Sequence, residues 1–92
     1  MLDDAVVLAR HAEPLTAEVD GEVVMFHPTA GTYFALGAVG SRVWELIEQP
    51  RRVGDLLATL RNEFDVDEAT CRADVEAFVA ELREADLVEA RT

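Results

Sequence analysis

The chain of 92 residues contains no lysine, one cysteine, one tryptophan, one tyrosine and two histidines. A lone thiol, Cys71, can close no intramolecular disulfide and can build no cysteine-rich zinc centre. Without lysine or a glycine-rich loop there is no phosphate-binding loop of the usual kind. Long apolar runs are also missing. The stretch Ala5 to Ala9 is too short for a membrane span, which needs about 20 apolar residues. Met1-Leu2-Asp3-Asp4 is acidic where a secretory signal would be basic. The expectation is a soluble, cytoplasmic chain with no membrane partner. Basic charge is scarce as well: eight arginines face nineteen carboxylates, for a net charge of −11. Such a field repels phosphate backbones, which makes nucleic acid a poor partner and a basic peptide or protein face a better one.

What is present is a globular composition, 50% hydrophobic and 29% charged. The length suits one small domain with a single core and no deep cleft between lobes. Glycine and proline stop at Gly54, which divides the chain into a β-like front and a helical back. Residues 15–20 alternate apolar and polar, as a half-wet strand does. Asp20-Gly21 follows and signals a two-residue hairpin turn. Val23 to Phe26 and Thr32 to Leu36 read as the next two strands, separated by turn chemistry at Pro28-Thr29-Ala30-Gly31. Helices are expected over about 39–48, 53–63 and 68–85, each with apolar residues at helical spacing, the third capped by Asp67. Leu87 and Val88 read as a closing strand or extended tail. The fold class is therefore α+β, winged helix-turn-helix-like, with a three-stranded antiparallel sheet followed by three helices. Residues 1–13 are assigned to an N-terminal arm or extra strand and residues 14–90 to the domain.

Catalytic groups are sparse. His11 and His27 have no metal-ligand spacing and no cysteine nearby, so ordinary surface or strand-end roles suit them better. Cys71 falls on the apolar stripe of the third helix, where a thiol is a small inert hydrophobe. Ser41 is not framed by a nucleophile-elbow motif. No enzyme activity and no cofactor are expected. A winged helix that reads DNA places a basic helix in the major groove, yet here residues 67–85 carry six carboxylates against two arginines. Arg51-Arg52 is the one paired basic spot, and a solvated loop explains it. Trp44 and Phe26 are read as core. Tyr33, Phe34 and Leu36 put large side chains on both faces of the third strand, and alternation does not say which aromatic faces the helices. If that strand is an edge, a foreign peptide can add to it.

Three stretches carry a family resemblance. The first runs from Val24 to Gly37 and ends Gly31-Thr32-Tyr33-Phe34-Ala35-Leu36-Gly37. The second is Ser41-Arg42-Val43-Trp44-Glu45-Leu46-Ile47. The third is Ala73-Asp74-Val75-Glu76-Ala77-Phe78-Val79-Ala80-Glu81-Leu82. In this order the chain resembles the PqqD-like proteins, the recognition elements for ribosomally made precursor peptides, and most of all the stand-alone kind of lasso peptide clusters. One departure is Asp86, where family members often have glycine just past the third helix. The resemblance implies a non-catalytic adaptor that binds a precursor's leader as an added strand and presents it to a separate cysteine protease, the leader peptidase. An ATP-dependent macrolactam cyclase is the second candidate partner. Main-chain atoms of Thr32, Tyr33, Phe34, Ala35 and Leu36 would hold the leader. Tyr33, Phe34, Val75, Phe78 and Val79 would line its pocket, Cys71 and Asp74 would border it, and Asp74 and Glu76 would steer basic leader residues. The rival expectations are a winged-helix DNA-binding regulator and a structural subunit of a larger enzyme.

Overall fold

The structure, a computed structural model, describes residues 2–11, 14–27 and 31–91. Pro28, Thr29 and Ala30 of the expected turn lie outside these. The elements are β1 (Val7–Arg10), β2 (Leu15–Val19), β3 (Glu22–His27), β4 (Thr32–Ala35), α1 (Gly37–Leu46), β5 (Arg51–Arg52), α2 (Val53–Glu63), α3 (Glu68–Glu84) and β6 (Val88–Arg91). They form an α+β fold with two small antiparallel sheets rather than one, ordered β2-β3-β4 and β5-β1-β6.

The first sheet is the meander expected from the turns. Asp20 and Gly21 sit at φ 54° and 82°, the paired positive values that a two-residue hairpin turn needs and that glycine adopts without strain. This fixes the register Val19↔Glu22 through Leu15↔Phe26. β3 pairs in turn with β4, placing Met25 opposite Phe34 and Phe26 opposite Tyr33. Met25 and Phe34 face the core, and Met25 is fully buried. Phe26 and Tyr33 point the other way, with ring centroids 4.7 Å apart. Phe26 is therefore not a core residue, as its apolar neighbours suggest, because strand parity turns it outward.

The second sheet has a weaker sequence signal. β1 lies at its centre, paired with β6 from Val7↔Arg91 to Arg10↔Val88 and with β5 through Val7↔Arg52 and Leu8↔Arg51. Leu8 has no exposed surface, and Leu2 also joins the core. Arg51-Arg52 is thus a short strand rather than a solvated loop. The Arg51 Nε donates to the Leu46 carbonyl at 2.7 Å, satisfying a carbonyl at the end of α1.

The helices close the core over the first sheet. Val43, Trp44 and Ile47 of α1, Leu56, Leu57 and Leu60 of α2, and Cys71, Val75, Val79 and Leu82 of α3 pack into one cluster with Met25, Leu8 and Leu87. Arg42 of α1 grips Glu63 at the end of α2 with two hydrogen bonds of 2.7 and 2.8 Å. Asp67 caps α3 by accepting from the Thr70 amide at 2.8 Å. At the other end Asp86 sits at φ 61°. Its amide donates to the Arg83 carbonyl at 3.0 Å, and the Leu87 amide to the Leu82 carbonyl at 2.9 Å. This is the two-bond helix stop for which glycine is the usual residue. The chain makes it with aspartate, so the departure changes the residue and not the geometry.

Candidate functional site

Among the described residues β4 has a neighbour on one side only, so its other edge is open. The Leu36 amide donates to the Val23 carbonyl at 3.0 Å. Bonded pairs alternate along an antiparallel ladder, so Phe34 bonds inward to Met25, while Tyr33 and Ala35 turn their amide and carbonyl groups to the free edge. An edge of this kind is a ready template for another strand.

Where β4 runs out, an apolar pocket of about 170 Å³ opens between α1 and α3. Leu36 forms its β4 side, Val39, Gly40 and Val43 its α1 wall, and Asp74, Val75 and Phe78 its α3 wall. The arrangement follows from helical spacing: Val39 and Val43 are one turn apart, as are Asp74 and Phe78. Asp74 is exposed, so the pocket has an apolar interior and a negative rim. Chemically it offers an apolar hollow the size of one side chain beside a negatively charged rim.

The structure brings together Leu36, Asp74, Val75 and Phe78 of the expected site at the pocket. Of the β4 main chain it leaves Tyr33 and Ala35 facing the free edge, while the register turns Thr32, Phe34 and Leu36 inward to β3, and the remaining side chains lie elsewhere. Tyr33 is 74% exposed and stands on the outer face of the sheet, away from the pocket. Phe34 packs against the core beneath β4. Cys71 is 3% exposed and belongs to the core. Burial pushes its thiol up from its ordinary value, with Asp74 and Asp67 adding to the rise and Arg61 and Arg72 opposing it, so it stays protonated. Val79 faces a different hollow, shared with Leu2, Glu76, Ala80 and Arg83. Glu76 is already engaged: it accepts from the Leu2 amide at 3.0 Å, while Arg72 donates to the Leu2 carbonyl at 2.8 Å and pairs with Asp4. The N-terminal segment thus occupies the α3 face where a free Glu76 was expected. Sequence reasoning missed Val39, Gly40 and Val43. Their signal was the α1 apolar stripe, which serves the core and the pocket at once.

The opposite face of the first sheet is open and apolar. Leu15 is 64% exposed and Val19 54%. Leu15, Ala17, Val24, Phe26 and Tyr33 flank a shallow hollow of about 150 Å³. Among the described residues, no group of three histidine, cysteine or carboxylate side chains could hold a metal ion, and no helix is long and apolar enough to cross a membrane.

Comparison with known proteins decides the family. Residues 22–88 match the family described as coenzyme PQQ synthesis protein D, PqqD. The chain belongs to the PqqD family. It is a PqqD-like recognition element, a non-catalytic kind of domain. Among solved structures it is similar to TbiB1 in complex with the TbiA(beta) leader peptide, at 36% identity and a TM-score of 0.72, with 96% of this chain and 93% of that one covered. No curated protein matches. The PqqD match begins at β3 and ends at β6, so it takes in β4, the pocket and α3.

Proposed function

We propose that this PqqD-family chain binds the leader region of a ribosomally made precursor peptide, of the lasso type, and delivers it to a separate leader peptidase. The observation that carries the proposal is the open β4 edge running into the pocket between α1 and α3. A leader strand pairs with the outward groups of Tyr33 and Ala35, and one apolar side chain drops past Leu36 against Val75 and Phe78. Asp74 draws basic leader residues toward the rim. The similarity to TbiB1, a leader-bound protein, supports this assignment. The six carboxylates of residues 67–85 speak against a DNA-reading role for α3.

Delivery needs no catalytic group. Binding orders a flexible leader, and holding it beside the peptidase raises its effective concentration there. The surface we assign to the peptidase is the apolar outer face with Leu15, Val19 and Tyr33. It shares β4 with the leader edge, so a protein seated there meets the leader as it leaves the strand.

Precursor and peptidase reading frames found beside this gene would supply a fluorescent synthetic leader and the peptidase for the test. Wild-type protein should bind the leader, and Phe78→Ala should weaken binding at least tenfold. Phe78 is the better probe because Val75 is buried in the core, where a charge would unfold the domain. Leu15→Glu with Val19→Glu, both on β2 and away from the leader edge, should leave leader binding intact and abolish stimulation of cleavage. Absence of leader binding by the folded wild type would refute the proposal. Normal stimulation by the double variant would refute the assignment of the outer face.

A further inference from the structure

Gly40 lies inside α1, in a helical position that alanine would favour on conformational grounds. A Cβ built there would stand 3.1 and 3.2 Å from the edge of the Phe78 ring and 3.3 Å from the Leu36 Cβ. These separations are tighter than ordinary carbon contact, so something must yield. The Leu36 Cβ is tied to the backbone at the end of β4, whose amide is bonded to Val23. Phe78 is the movable partner: its ring is only partly buried and lines the pocket. The absence of a side chain at position 40 is therefore what lets the edge of the Phe78 ring approach α1 so closely. Both residues, together with Leu36, line the same 170 Å³ space.

We infer that Gly40 is a specificity-determining residue of the peptide groove. It sets the size of the apolar peptide side chain that the pocket admits, by giving Phe78 room to stand back. This rests on leader binding at β4 and adds to it the residue that gauges one leader position. A methyl group at position 40 drives the ring a few tenths of an ångström into the pocket, and a branched side chain drives it further. The largest leader side chain then fits badly while the strand pairing along β4 continues.

The experiment is a double-mutant cycle read with the synthetic leader. Gly40→Ala should stay folded, with a melting temperature at or above wild type, and should bind the leader about tenfold more weakly, the usual scale of a one-methylene misfit in an apolar pocket. In the Phe78→Leu background, where the ring is gone, the same Gly40→Ala change should cost less than twofold. An alanine scan of the leader identifies the pocketed residue as the one whose contribution shrinks in Gly40→Ala while the others keep theirs. An unchanged affinity of Gly40→Ala would overturn the inference, as would an equal penalty in both backgrounds. Either result leaves leader binding standing. Failure of the folded wild type to bind would overturn leader binding and this inference together.

Discussion

Proline scanning of β4 tests the strand register and the peptide edge in one experiment. The register turns the Ala35 amide outward and the Phe34 amide inward toward Met25. Proline has no amide proton, and sheets tolerate it only where that proton faces outward at an edge. Ala35→Pro should therefore keep the domain folded, with a melting temperature within about 5 °C of wild type. It should nevertheless cripple strand addition. The lost hydrogen bond is worth about 1 kcal/mol net, and the leader carbonyl left without a donor costs a further ~1–2 kcal/mol. Together they amount to roughly a 30- to 150-fold rise in Kd, read by fluorescence anisotropy with the synthetic leader. Phe34→Pro removes a ladder bond and a core-packed ring, so it should destabilise the fold by about 3 kcal/mol or more. A folded Ala35→Pro protein that binds the leader within threefold of wild type would refute strand pairing at this edge. Loss of folding in Ala35→Pro, with Phe34→Pro spared, would mean the register is shifted by one residue.

Four further outcomes follow from the same structure. Leu8→Ala removes a fully buried side chain and should cost ~2–5 kcal/mol, against a total of about 5–14 kcal/mol for a chain this long; a loss below about 1 kcal/mol in urea unfolding would make β1 a loosely held arm. Asp86→Gly should gain about 0.5 kcal/mol, because relief of the left-handed backbone outweighs the exposed Asp86 contact to His11 at 2.9 Å; a lower melting temperature would reverse that ranking. The Thr70 amide, then its hydroxyl, holds the Asp67 carboxyl below its ordinary value, so the native state binds fewer protons than the unfolded chain. Stability is present above the ordinary aspartate range and is lost as the pH falls through the lowered value; Asp67→Asn, which still caps, should flatten that part of the acid unfolding curve, and an unchanged curve would contradict the assignment. Leader affinity should fall as salt rises, and less steeply in Asp74→Asn; a flat wild-type dependence would leave apolar docking alone.

Much of the fold is legible because its signals are local. Asp20-Gly21 sets a hairpin through backbone conformation that two residues supply by themselves. Asp67 starts α3 with a hydrogen bond three residues away, and the leucines of α2 repeat at helical spacing. The second sheet is less legible. β1, β5 and β6 come from three distant parts of the chain, and nothing in Arg51-Arg52 announces a strand until β1 lies beside it. The same holds at the site. Alternation shows that Tyr33 and Phe34 take opposite faces of β4, but only packing against the helices decides that Phe34 goes inward. Glu76 looks like a free carboxylate on an exposed helix face, and it is the fold that brings the Leu2 amide to it.

The sequence by itself determined the family, the helix and hairpin elements and the net negative charge, because these reside in residue types and short spacings. Tertiary structure alone decided which edge stays open, which side chains wall the pocket and where the N-terminal strand is held. Each of those depends on the meeting of residues tens of positions apart, and short-range pattern carries no information about such encounters.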